Sequence, residues 1–145
     1  MRWDESACAG TDVPGRWVAD LPDGTNPLGA PSPPFRALVF EDRVTRIEVL
    51  TAGPRTIHGI GVGSTVADLR RVHPEMTLLA GADELGVVEA WGVVAGERTL
   101  AVEVTANPAG GDPYWTDDEL GRVVAMVAVA GIPYAYPAWG ADSCG

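Results

Sequence analysis

The clearest hydrophobic pattern in the chain lies between residues 64 and 74. Its apolar positions recur at the spacing of one helix face, and they are Val66, Leu69 and Val72. Thr65 stands before them as an N-cap residue, and Asp68 three residues later completes a capping box at the positive end of the helix dipole. Pro74 follows, and the residue before a proline avoids the helical region. The sequence therefore predicts one helix that begins after Thr65 and ends before Pro74.

The segment from 37 to 49 has the pattern of a β-hairpin, in which a polar turn separates two runs of strand-forming residues. In the second run Ile47 and Val49 share one face of the strand, whereas Arg46 and Glu48 share the other. Alternation of this kind is typical of a sheet with one face on the core and one in water. We therefore expect the face with Arg46 and Glu48 to meet solvent.

Four further segments are predicted to be strands, and they cover residues 76–80, 85–95, 98–106 and 121–130. The last of these is nearly all apolar, so we expect a central strand that is covered on both faces. With the hairpin and the helix, these strands predict an α+β fold. Its antiparallel sheet has about five to six strands, and one main helix packs on one face.

The first 34 residues differ from the remainder in composition. They are rich in proline and glycine, ending in the cluster NPLGAPSPP, and few of their positions alternate. We expect residues 1–34 to form an extended N-terminal arm, with a disordered linker as the alternative, and residues 35–145 to form a single α+β domain. A chain of 145 residues is long enough for one domain with its own core.

The formal net charge of the chain is −10 at pH 7. This charge repels phosphate backbones and anionic lipid surfaces, so we expect neither nucleic-acid binding nor membrane insertion. A basic protein would be attracted instead, although an acidic surface often serves solubility alone. All ten basic residues are arginines, and the missing lysine removes Schiff-base and Walker-type chemistry. We expect no cofactor.

Two cysteines lie near the ends of the chain, at Cys8 and Cys144. An even number with one at each end predicts a disulfide that ties the termini together. The alternative is a pair of unrelated thiols in a reducing compartment. A disulfide implies an oxidising, extracellular location. No apolar signal core follows Met1, so we expect a secreted chain from which the signal peptide has been removed.

Candidate catalytic and metal-binding patterns are sparse. His58 and His73 are the histidines of the chain, no G-x-S-x-G motif is present, and the histidines and cysteines have no zinc-binding spacing. The glycines at 59, 61 and 63 are explained by a tight turn before a capped helix rather than by a phosphate loop. The acidic loop 107–119 carries oxygen ligands that suit calcium, or it is a solvated acidic loop.

Aromatic side chains in loops are a stronger indication of function. Tyrosine and tryptophan are common anchors of protein recognition, and nearby carboxylates steer a partner. The predicted protein-binding residues are Tyr114, Trp115, Asp117, Asp118, Tyr134, Tyr136 and Trp139. They lie in the 107–119 loop and the 133–140 tail, which we predict to form one binding surface. The alternative is that these aromatic rings pack beneath the N-terminal arm.

The segments EDRVTRIEV and RTIHGIGVGSTVADLRRVHP resemble a group of small secreted proteins of actinobacteria. The matching positions are Asp42, Arg43, Val44, Arg46, Ile47, Val49, Thr56, Gly59, Ile60, Gly61, Val62, Gly63, Ser64, Thr65, Asp68, Leu69, His73 and Pro74. This group has no assigned enzyme activity. The glycine-to-helix element is also similar to that of the β-lactamase inhibitory protein and of small outer-membrane assembly lipoproteins. Both of these are binding proteins whose helices pack on an antiparallel sheet.

These observations predict a secreted, non-catalytic protein-binding domain, and an inhibitor of a hydrolase is one such protein. The chain is then not an enzyme, and its partner is a protein, most simply a basic one. One alternative is an intracellular acidic partner protein of the immunity or antidote type, in which the cysteines are reduced. Another is a small hydrolase that uses His58 or His73.

Overall fold

The architecture is dominated by one antiparallel sheet. A computed structural model describes residues 2–4, 16–18, 24–25, 31–81, 88–105 and 121–130. Its elements are β1 (Arg2–Asp4), β2 (Arg16–Val18), β3 (Gly24–Thr25), β4 (Pro31–Ser32), β5 (Phe35–Phe40), β6 (Arg43–Val49), α1 (Val66–Val72), β7 (Thr77–Ala80), β8 (Glu89–Ala95), β9 (Arg98–Thr105) and β10 (Arg122–Ala130).

The main sheet has eight strands in the order β1-β2-β5-β6-β10-β9-β8-β7, and β3 and β4 form a separate two-stranded ribbon. The predicted class and the single helix on one face agree with this arrangement, but the prediction of about five to six strands is wrong. The difference arises in the arm, because β1 pairs with β2 and β2 pairs with β5. Strands of three residues are too short to produce a period-two pattern.

Helix α1 begins and ends where the sequence predicts. The backbone N–H of Asp68 donates a 3.0 Å hydrogen bond to the Thr65 hydroxyl, which itself donates to the Asp68 carboxylate. At the other end the N–H of His73 reaches the carbonyl of Leu69 at 2.8 Å, and Pro74 follows. Both termini are therefore satisfied by local bonds, which explains why the sequence reveals them.

The β5–β6 hairpin and the central strand are confirmed. Glu41 and Asp42 both have positive φ, at 47° and 59°, which is the conformation of a two-residue turn that matches strand twist. Strand β10 lies between β6 and β9, and its residues Val123–Val127 are all buried. On the helix side, Val66 and Leu69 pack with β9 and β10 in one core cluster, and a second cluster on the opposite face includes Leu50.

The orientation predicted for β6 is wrong. Arg46 and Glu48 are 3% and 0% exposed, whereas Ile47 on the other face is 45% exposed. The two carboxylate oxygens of Glu48 accept bonds from the Nε atoms of Arg36, at 2.6 Å, and Arg46, at 2.7 Å. Glu103 of β9 is buried on the same face. Ion pairing allows Arg36, Arg46 and Glu48 to enter the interior, and no local sequence pattern shows that pairing.

Candidate functional site

An apolar groove lies on the helix side of the sheet, beyond the end of α1. Its floor is a row of cross-strand neighbours, in which Ile47 pairs with Ala128, Ala128 with Leu100, and Leu100 with Val93. The groove has a volume of about 440 Å³. Since this row belongs to four adjacent strands, the groove runs across the sheet rather than along one strand.

The groove exists because α1 is short. A helix of seven residues is about 10 Å long and makes about two turns. It covers the row that contains Met126, Val102 and Trp91, and it stops before the next row. Pro74 prevents the helix from continuing over Ile47 and Leu100. The same signal that predicts the end of the helix therefore determines where the sheet is left uncovered.

The apolar row continues toward the N-terminal strands. Ile47 is the neighbour of Ala37 on β5, Ala37 is the neighbour of Trp17 on β2, and Trp17 is the neighbour of Trp3 on β1. The two indole rings meet edge to face with centroids 5.4 Å apart, and Trp17 is exposed. The row of apolar cross-strand neighbours thus extends beyond the groove to β1, and within it Ala37 is buried.

The two histidines come together at one end of the groove. The rings of His58 and His73 are in edge contact with centroids 5.4 Å apart, and the Nδ1 atom of His73 lies 3.1 Å from a Glu75 carboxylate oxygen. A hydrogen bond from its own backbone N–H, followed by the one from His73, holds the pKa of Glu75 below its ordinary value. His73 and Glu75 both line the groove.

A histidine beside a carboxylate is also part of a catalytic triad. The second ring nitrogen of His73 therefore indicates whether a nucleophile is in place. The Nε2 atom of His73 is buried and has no hydrogen-bond partner among the residues that the structure describes, although a triad would place its nucleophile there. Within the described part of the chain, no group of three histidine, cysteine or acidic residues is arranged to hold a metal ion. The pair therefore supplies a polar end to the groove without the geometry of a triad.

A smaller cavity of about 290 Å³ lies between α1 and β8. The guanidinium group of Arg70 sits 5.2 Å from the centre of the Trp91 ring, and the Trp91 Nε1 donates to Glu89 at 3.1 Å. Arg70 and Trp91 line this cavity, and His73 lines both the cavity and the groove.

The residues that the sequence singled out for binding lie outside the described residues. They are Tyr114, Trp115, Asp117, Asp118, Tyr134, Tyr136 and Trp139, together with the cysteines Cys8 and Cys144. Their roles, the disulfide, the calcium alternative for loop 107–119 and the boundary at residue 34 stay predictions. Sequence reasoning missed the groove itself. The available signal was that a helix of two turns cannot cover every apolar row of so wide a sheet.

No family model, no curated protein and no solved structure matches this chain. The resemblance to small secreted actinobacterial proteins therefore also stays a prediction. Of the described residues, no helix has the length and apolar character that a membrane crossing would require. The function has to be argued from the groove and from the residues around it.

Proposed function

We propose that this chain is a secreted, non-catalytic protein-binding domain that uses the groove to hold an apolar segment of a partner protein. The observation that carries the proposal is the inversion of strand β6. Arg46 and Glu48 are buried in ion pairs, while Ile47 between them, with 45% of its surface exposed, faces the groove. Exposed apolar surface in one contiguous patch is the usual mark of an interaction site.

The chemistry of the partner follows from charge. The chain carries a net charge of −10, so a segment with lysine or arginine beside its apolar residues is attracted over long range. Glu75, whose carboxylate is about half exposed at the end of the groove, offers such a segment a local negative charge. The occupant we propose is therefore a basic and apolar segment of a protein, such as a hydrolase that the domain inhibits.

Selection of a random-peptide phage library on the immobilised chain tests this proposal. We expect the enriched peptides to combine apolar residues with lysine or arginine, because apolar residues complement the groove floor and basic residues complement Glu75 and the net charge of −10. Ile47→Asp should abolish their binding, since it places a charge on the groove floor. Val94→Asp is the matched control, because Val94 is 61% exposed on a strand but points to the opposite face. Peptides that bind both variants equally would refute the groove as the binding site.

A hydrolase remains the second candidate because His58, His73 and Glu75 lie together. Hydrolysis by this cluster would require a partner for the unpaired Nε2 atom of His73, supplied by substrate or water. A panel of ester, amide and phosphoester substrates with the wild type and His73→Ala tests this function. Turnover that the variant loses would replace the binding proposal, whereas equal traces in both proteins would indicate contamination.

A further inference from the structure

Ile57 is the most exposed large apolar side chain in the described residues, at 96%. It lies at the tip of the loop 52–63, between β6 and α1. Single exposed apolar residues are ordinary on protein surfaces, so exposure alone indicates nothing. The loop that carries Ile57 supplies the additional evidence.

Hydrogen bonds within the loop hold the tip in one shape. The N–H of Gly59 donates to the carbonyl of Thr56 at 2.9 Å, which closes the turn around Ile57. The N–H of Thr56 donates to the carbonyl of Ile60 at 2.7 Å, and the N–H of Ile60 donates to the Thr56 hydroxyl at 3.1 Å. Gly59 has φ of 84°, which a residue with a side chain rarely adopts. The tip is therefore a closed turn.

The base of the loop is fastened to the body of the protein. Gly61 pairs with Arg55 in an antiparallel bridge, and a Cβ atom at position 61 would lie 2.6 Å from the carbonyl oxygen of Pro54. The N–H of Gly61 also donates to the Ser64 hydroxyl at 3.1 Å, just before the helix. A side chain held on such a base loses little freedom when it is buried by a partner.

The loop also stands next to the groove. His58, the neighbour of Ile57, contacts His73, and His73 lines the groove. A partner segment in the groove would therefore pass close to the loop tip. Isoleucine is branched at Cβ and stiff at χ1, so it resembles the rigid anchors of well-packed interfaces.

We propose that Ile57 is an anchor residue of the interface and enters an apolar pocket on the surface of the partner protein. This inference rests on the proposed function and sharpens it. It requires that the partner has an apolar pocket for Ile57 in addition to the segment that binds in the groove. The groove accepts apolar side chains from the partner, and the loop supplies one in return. The partner is then a folded protein with a basic surface, and a free peptide reproduces only the groove contact.

The test begins with photo-crosslinking of the full chain in the culture fluid of its source. A p-benzoylphenylalanine replaces His58 in one sample, Ile47 in a second and Val94 in a third. We expect the first two positions to capture the same protein, because both border one interface, and we expect position 94 to capture none. The captured protein is then identified by mass spectrometry and produced in pure form.

Affinity for that pure protein decides the inference by titration calorimetry. Ile57→Ala should weaken binding about 10- to 100-fold, which is the range of an anchor residue, whereas Val94→Ala should leave it unchanged. Thr56→Val keeps the shape of the side chain but removes the acceptor for the Ile60 N–H, so it should weaken binding several-fold with Ile57 intact. Unchanged melting temperatures show that each variant is folded.

The outcomes separate the two proposals. Capture from position 47 with full affinity of Ile57→Ala would overturn the anchor and leave the groove in place. A loss of affinity in Ile57→Ala with none in Ile47→Asp would retain the anchor and overturn the groove. Capture from neither position 47 nor position 58 would refute both.

Discussion

The two faces of strand β6 differ in which side chains are exposed to solvent. On one face Arg46 and Glu48 are buried, and the Glu48 carboxylate accepts hydrogen bonds from both Arg46 and Arg36. On the other face Ile47 is about half exposed in a groove. A charged side chain can be buried when it pairs with a group of opposite charge in good geometry. An apolar side chain remains exposed to solvent where no helix or strand packs over it. The buried ion pairs and the proposed binding groove thus lie on opposite faces of one strand.

The largest effect should come from breaking the buried side. Glu48→Ala leaves the guanidinium groups of Arg36 and Arg46 without the carboxylate between them. Removing one member of a buried ion network costs about 3–5 kcal/mol of unfolding free energy, because the remaining charges stay buried without that member. Urea denaturation followed by circular dichroism measures the loss.

A second variant sharpens that test. Arg36→Met, Arg46→Met, Glu48→Leu and Glu103→Leu together replace the four buried charges of this face. The quadruple variant should recover most of the lost stability, since well-packed apolar residues often replace buried ion pairs at little cost. A quadruple variant as unstable as Glu48→Ala would show that packing rather than charge explains the effect.

Helix α1 determines which part of the sheet face beneath it is covered and which part is left open as the groove. Thr65→Ala removes the hydroxyl that accepts from the Asp68 N–H, so it should lower stability by about 1 kcal/mol. Thr65→Ser keeps an acceptor in the same place and is the matched control. Thermal unfolding measures both variants, and equal losses would mean that the cap bond has no role.

On the groove side of β6, we expect substitution to reduce binding and to leave the stability of the fold almost unchanged. Ile47→Ala removes a half-exposed side chain, so its unfolding free energy should change by about 0.5 kcal/mol or less. Binding of the selected peptides should nevertheless fall clearly. A loss of stability comparable to that of Glu48→Ala would show that Ile47 belongs to the core, and the contrast between the two faces would then fail.

The smallest expected effect concerns pH. Hydrogen bonds from Arg71 and then from Thr65 hold the pKa of Asp68 below its ordinary value of 3.8. A lowered folded-state pKa favours the native state above the unfolded-state pKa, and this contribution disappears as the pH falls through the folded-state value. Asp68→Asn should therefore melt below the wild type at pH 7, with the gap closing at pH below about 4. A gap that stays constant with pH would rule out the carboxylate charge as its cause.

Local features of this fold could be predicted from the sequence, and distant pairings could not. The helix from Val66 to Val72 is predicted by its N-cap residue, its apolar spacing and the proline that follows it, all within ten residues of one another. The salt bridge between Arg36 and Glu48 joins residues on two strands, so neither residue alone predicts burial. The arm strands Arg2–Asp4 and Arg16–Val18 are also too short for a periodic signal.

The candidate site shows the same division. Alternation placed Ile47 and Glu48 on opposite faces correctly, since side chains in a strand alternate by geometry. Which face meets water depended on the length of α1 and on ion pairs from another strand. The meeting of His58 with His73 likewise depends on a loop that folds back, for which the spacing of the two residues gives no indication.

The alternation along β6 has a consequence for variation and for engineering. Odd-numbered positions such as 45 and 47 face the groove, whereas 46 and 48 hold the ion network. A library that randomises only the groove-facing positions of β6, β9 and β10 would alter the proposed binding surface and leave the charged interior untouched. New binding preferences could thus be selected on this sheet by varying every second residue of a strand, while the buried ion pairs are kept.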